Sequence, residues 1–164
     1  MGLAVLVLGF SGSGKSASLR NFGADELTLI NVNGKPLPFR TRFTHTTRSD
    51  RYPDIMQCIR TAKTKAIAVD DTQYLMANEF MRRSKEVGFQ KFTDIAKNFW
   101  ELVRAVEGLP DDVVVYFLSH IETGEDGRQK AKTIGKLLDE KITVEGMFTI
   151  VLKTVVADGK YLFA

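Results

Sequence analysis

An α/β domain with a central, mostly parallel sheet and a C-terminal β-hairpin is the fold class predicted for this chain of 164 residues. Three observations predict it. Short apolar runs recur at 3 to 8, 27 to 32, 66 to 70 and 113 to 118, with the continuous apolar character that strands buried on both faces require. Helical spacing fills several of the intervals, and alternation of strand and helix marks a doubly wound sheet. The stretch from Gly146 to Ala164 reads as two β-rich runs joined at Asp158-Gly159, a dipeptide suited to a tight hairpin turn.

The first strand is Leu3-Ala4-Val5-Leu6-Val7-Leu8, and a loop leads from it into a helix over 15 to 22. After the strand at 27 to 32, a connection containing Pro36, Pro38 and several arginines reaches a helix over 54 to 64 and the strand at 66 to 70. Helices are expected over 72 to 84 and 91 to 107. In the second, Phe92, Ile95, Ala96, Phe99, Leu102, Val103 and Val106 share one face, and Pro110 is the stop. Val113-Val114-Val115-Tyr116-Phe117-Leu118 reads as a buried parallel strand, and a helix over about 129 to 140 precedes the terminal β pair.

A hydrophobic fraction of 44% over this length supports one core and not two, so a single domain over 1–164 is expected. The net charge of +3 permits a polyanionic partner without requiring one. Cys58 is the sole cysteine and there are two histidines, which excludes a disulfide framework and leaves no zinc cluster. No basic region precedes the six-residue apolar stretch at the N-terminus, so the chain reads as cytoplasmic with no membrane partner. Because the sequence stops within an apolar strand at Phe163-Ala164, a further C-terminal tail is expected.

Gly9-Phe10-Ser11-Gly12-Ser13-Gly14-Lys15-Ser16 has the form G-x-x-x-x-G-K-[ST] and directly follows the first strand. Glycines let the backbone turn sharply and bring its amides close to anionic oxygens. This pattern predicts a phosphate-binding loop, with Ala17 among the residues that bind the nucleotide and the helix beginning near Gly14 aiming its positive dipole end at the same anion. Lys15 is expected on the outer phosphates, and Ser16 on Mg²⁺. The strand Ala66-Ile67-Ala68-Val69 ends in Asp70-Asp71, the form of a Walker B motif. Asp70 is assigned to the metal shell, while Asp71 either orients the attacking water or caps the next helix. The fourth strand ends in Ser119-His120, where either side chain can sense the terminal phosphate or sit at the surface.

Residues 35 to 52 carry Lys35, Arg40, Arg42, Arg48 and Arg51 against the single acid Asp50, interleaved with Phe39, Phe43, His45 and Tyr52. Cations alternating with rings suit single-stranded nucleic acid, and a solvated crossover with two core Phe is the plainer alternative. Arg128 and Lys130 follow a Gly-bounded acidic turn. They are candidates for contact with a polyanion or with a neighbour's nucleotide, or for a mobile surface loop.

The Gly9–Ser16 loop, the strand ending in Asp70-Asp71, the helical Gln73-Tyr74-Leu75-Met76 and the strand ending in Ser119-His120 together resemble a RecA-core P-loop ATPase. More narrowly, the chain is similar to small phage-encoded RecA-like ATP-binding proteins of the single-strand-annealing recombination group. Lys132-Thr133-Ile134-Gly135-Lys136 and Gly146-Met147-Phe148-Thr149 carry that narrower likeness. The resemblance implies a three-layer RecA-like (ASCE) domain that binds ATP or ADP with Mg²⁺, forms a homo-oligomer and acts on single-stranded DNA beside phage recombination or replication proteins. RecA proteins carry a catalytic Glu at the end of a strand outside the Walker B motif. Here the second strand ends Asn31-Val32-Asn33, which leaves Asp71 to substitute.

Two other functions use the same motifs. A small-molecule or nucleotide kinase would draw on Arg82-Arg83 or Arg128 for its acceptor. A nucleotide-gated interaction module would bind ATP and scarcely hydrolyse it.

Overall fold

The computed structural model describes residues 1 to 164. Eight strands form one sheet: β1 (Leu3–Gly9), β2 (Leu27–Asn31), β3 (His45–Arg48), β4 (Ala66–Asp70), β5 (Val114–Thr123), β6 (Gln129–Ala131), β7 (Ile150–Ala157) and β8 (Lys160–Phe163). Their order is β3-β2-β4-β5-β1-β7-β8, with β6 paired to the outer part of β5. Every pairing from β3 across to β7 is parallel, and only β5–β6 and β7–β8 are antiparallel. The chain is therefore a mixed α/β protein with a central, mostly parallel sheet.

Three helices, α1 (Tyr52–Thr61), α2 (Gln73–Arg82) and α3 (Gln90–Ala105), pack on one face. Alternation along the strands sends Leu6 and Leu8 of β1, Ile67 and Val69 of β4, and Val115 and Phe117 of β5 into that layer. They meet Ile55, Leu75, Ile95, Phe99 and Leu102. The opposite faces of the same strands, among them Val5, Val7, Leu29, Ala68 and Leu118, meet Leu19 and Phe43. This two-sided burial accounts for the unbroken apolar runs. The layers are unequal, with 26 buried residues in the helical cluster and 8 in the other. A short 3-10 helix and the 33 to 44 connection cover the second face in place of α-helices, so the third layer expected there is thin.

Several expected elements take a different form. The expected helix over 15 to 22 is a six-residue 3-10 helix, Ser16–Asn21. Ser18 N is shared between the carbonyls of Gly14 at 2.9 Å and Lys15 at 3.2 Å, and Ser18 Oγ donates to Lys15 O at 2.5 Å. Local serine bonds of this kind compete with α-helical pairing. The expected helix over 129 to 140 is also absent. β5 continues five residues beyond its apolar run, and its last three, Ile121, Glu122 and Thr123, pair with β6. Gly135 then takes φ +81° ahead of a π-helical turn at Leu137–Ile142. The polar edge strand β3, hidden in the connection, is parallel to β2. The terminal hairpin forms as expected, turning at Asp158 and Gly159 with φ of +50° and +72°.

Phe117 is fully buried in central strand β5 and meets Phe148 edge-on, with ring centroids 5.3 Å apart. Phe117→Ala is expected to cost about 3–5 kcal/mol of folding stability. Urea unfolding should show a lower midpoint at an unchanged slope if the loss is one of packing alone.

Candidate functional site

β1 and β4 end at the same edge of the sheet with β5 between them, so three segments converge there. These are the loop after β1, the turn after β4 and the Ser119–His120 stretch of β5, where Gly9 stands opposite His120 in register.

The loop is shaped by crowding and by backbone handedness. A Cβ on Gly9 would lie 1.9 Å from Thr154 Oγ1 and 2.4 Å from Ser13 Oγ. Thr154 Oγ1, from β7, is 2.6 Å from Ser13 Oγ and donates to Leu8 O at 3.2 Å. Gly12 and Gly14 take φ of +76° and +94°, the left-handed region that favours glycine. Lys15 follows in the right-handed region. Such alternation turns successive amides toward one side, a backbone form able to receive an anion. The amides of Ser11, Gly12, Gly14 and Lys15 donate to no protein acceptor. Because the following helix is a short 3-10 segment, these amides and Lys15 supply the positive field that a helix dipole was expected to add.

Lys15 is buried, and its ammonium donates to the carbonyls of Gly9 at 2.9 Å and Phe10 at 2.8 Å. Burial lowers its pKa below the usual lysine value, opposed by the carboxylates of Asp71 and Asp70. Ser16 Oγ donates to Asp70, 2.9 Å from each carboxylate oxygen. Burial pushes the Asp70 carboxyl above its ordinary range, against the opposing effect of the Ser16 hydrogen bond. The paired hydroxyl and carboxylate are hard oxygen donors of the kind Mg²⁺ takes when phosphates and water complete its shell. The residues assigned to the metal thus fit it.

Asp71 has φ +59°, strain of a kind that collects at functional turns. It is not the helix cap, because Thr72 precedes α2 and no side-chain cap bond forms. Its carboxylate lies against the β5 side of the site, with Oδ1 3.5 Å from His120 Nε2. Burial holds the His120 pKa below the usual imidazole value, reinforced by Lys15 and opposed by Asp71. Ser119 is buried beside them.

Three contributors carry no recognised motif. Gln73, the first residue of α2, accepts the His120 amide through Oε1 at 3.1 Å. Thr154 is a polar residue within an apolar run, a signal available in the sequence. The Tyr161 ring rests on the loop, where a Cβ on Gly14 would come within 2.8 Å of its Cδ1.

Of the basic candidates, Lys35 stands beside this cluster, with Nζ 5.4 Å from the Tyr74 ring centroid, and the others make no ion pair with the cluster. Arg40, Arg42 and Arg48 are exposed, and Arg51 reaches Asp50 at 3.6 Å. Phe43 is buried and meets Phe39 at 6.2 Å between centroids, so it belongs to the core and is withheld from base stacking. Arg128 is 3.6 Å from Asp126, while Lys130 pairs with Asp139 and lies 3.9 Å from Glu122. Arg82 is engaged by Asp50 at 2.7 Å, and Arg83 by Glu79, Glu86 and Asp94. Neither is free for the acceptor role that a kinase would give it. No helix is long and apolar enough to cross a membrane.

No protein-family profile matches the chain, and no curated protein matches it either.

Because burial favours protonated Asp70, the folded chain holds that proton more tightly than the unfolded chain does. Its favourable contribution is present below the ordinary carboxylate pKa and is lost as pH rises through the raised folded value. Asp70→Asn is therefore expected to raise the Tm of the ligand-free protein at neutral pH. Thermal unfolding across pH should show the gap closing as pH falls toward the ordinary carboxylate range.

Proposed function

We propose that this protein is a Mg²⁺-dependent RecA-like P-loop ATPase acting on single-stranded DNA in recombination or replication. The observation that carries the reading is the convergence of the unpaired loop amides, the Lys15 ammonium and the Ser16–Asp70 pair at one edge of the sheet. Insertion of β5 between β1 and β4 supports the ASCE arrangement, because it sets Ser119 and His120 beside the same loop. Single-stranded DNA is favoured as partner by the exposed Arg40, Arg42 and Arg48. With Phe43 buried, those arginines would meet phosphates with no help from its ring.

In this reading the loop amides hold the phosphate chain, and Lys15 exchanges its two carbonyl partners for phosphate oxygens. Ser16 and Asp70 would hold Mg²⁺, whose chemistry when bound is to offset phosphate charge. Asp71 would accept a hydrogen bond from the attacking water and take its proton as the water oxygen bonds to the γ-phosphorus and the bond from that phosphorus to the β–γ bridging oxygen breaks, with ADP leaving. His120, favoured neutral, keeps Asp71 oriented without repelling an incoming cation.

A second reading, the nucleotide-gated module with slow turnover, is favoured by Asn31. It occupies the end of β2 where a carboxylate is lacking, and its amide is engaged by Lys35 O at 2.7 Å and Gly34 N at 2.9 Å.

ATP turnover with and without single-stranded DNA separates the two, with Lys15→Ala as the blank. DNA-stimulated turnover is the outcome expected of the ATPase, and tight binding with no turnover would favour the module. Lys15→Ala should abolish ATP binding while leaving the fold intact. Asp71→Asn should keep ATP binding and lower turnover by about 10²–10⁴-fold. Normal turnover in that variant would remove Asp71 from the water-orienting role.

A further inference from the structure

On the α2 side of His120 lies a cavity of about 110 Å³, lined by Gln73, Tyr74, Ala77, His120, Lys132, Thr133 and Ile134. That volume holds a few waters or one tetrahedral oxyanion. Its lining includes cationic and hydrogen-bonding groups and no carboxylate. Lys132 is exposed at the rim, and Lys35 Nζ stands 5.4 Å from the centroid of the Tyr74 ring. Gln73 is buried, and its Nε2 has no hydrogen-bond partner. A buried amide donor left unpaired is unfavourable, by about 1–3 kcal/mol. An acceptor in the cavity, with the Gln73 side chain turned toward it, would remove that penalty.

The cavity wall is also tied to the catalytic edge. His120 N donates to Gln73 Oε1 at 3.1 Å, and Lys132 N donates to His120 O at 3.0 Å. The His120 peptide is thus held on both sides by residues that line the cavity, while its imidazole faces Asp71.

We propose that this cavity is a second anion site, which takes one phosphate group and couples its presence to the position of His120. Lys132 supplies the charge, and Thr133 and Gln73 supply hydrogen bonds to the phosphate oxygens. The anion is either inorganic phosphate leaving the catalytic edge or a phosphodiester of a bound single strand. Occupancy of the site does not require the ATPase reading, whereas its effect on turnover rests on it.

The two histidines make a direct test possible, because His120 lines the cavity and His45 lies on the edge strand β3. Inorganic phosphate is titrated at constant ionic strength and pH into Lys15→Ala protein, which lacks the cation of the nucleotide loop, while the histidine ring resonances are followed by NMR. The expected result is a saturable shift of His120 with His45 unmoved, weakened roughly tenfold or more by Lys132→Gln. Thr133→Val should weaken it as well and guards against an idiosyncratic effect of one variant. Absence of a saturable His120 shift, or one undiminished in Lys132→Gln, would overturn the proposal. A parallel titration with oligothymidylate identifies the source. Saturation of the same shift in competition with phosphate assigns the site to the strand, and a response to phosphate alone assigns it to the released product. Failure of the wild-type protein to bind ATP would defeat the ATPase reading and leave this titration standing.

Discussion

At the end of β1 there is no room for a side chain. The Thr154 hydroxyl of β7 occupies the space where a Cβ on Gly9 would sit, and it fastens Ser13 and the Leu8 carbonyl to β7. This close approach sets where the chain leaves the sheet and where its amides can turn. It depends on the strand order, because β1 has β5 on one side and β7 on the other. The same arrangement brings His120 opposite Gly9. The loop, the acidic turn and the polar end of β5 are therefore consequences of one parallel register.

The electrostatics of that edge run against the stability of the ligand-free fold. Burial lowers the pKa of Lys15 and raises that of Asp70, so each group is displaced toward its neutral form. Their mutual attraction offsets part of this, and Lys15 is satisfied by two carbonyls and Asp70 by Ser16 and the Asp71 amide. Asp71 adds a left-handed backbone that an ordinary turn would place on glycine. Concentrated unfavourable terms of this kind are tolerated where a rigid scaffold over-determines the geometry. Here the scaffold is the large helical core beneath β1, β4 and β5.

Strand positions were legible because two-sided burial writes continuous apolar runs, Asp70 because it ends one of them, and Lys15 and Ser16 because the glycine spacing after β1 marks them. What escaped was set by partners distant in sequence. The segment 129 to 136 has enough Lys, Gln and Ala to suggest a helix, yet the open edge of β5 beyond Ile121 captures Gln129–Ala131 as a strand. Phe43 offered a nucleic-acid reading in the sequence and a core position in the structure, because the thin face of the sheet has few other apolar groups to cover it. Gln73 gave no sign of its role, since its importance comes from a hydrogen bond to a residue 47 positions away.

The missing carboxylate at the end of β2 then has a structural counterpart. Asn31 is committed to closing its own turn through Lys35 O and Gly34 N, so that strand end positions a loop. The acid available to the site is Asp71, in the turn just after β4, the strand beside β2 in the sheet. An acid so placed cannot be oriented by its own strand, since the chain is already turning into α2. Its orientation must come from across the sheet, where His120 is the group that meets it. His120 in turn is held through its backbone by Gln73 and Lys132. Control of the reacting water would then pass from the strand that lacks a carboxylate to the β5–α2 contact, which is also where the cavity lies. A chain built this way would have its turnover governed by whatever fills or empties that cavity.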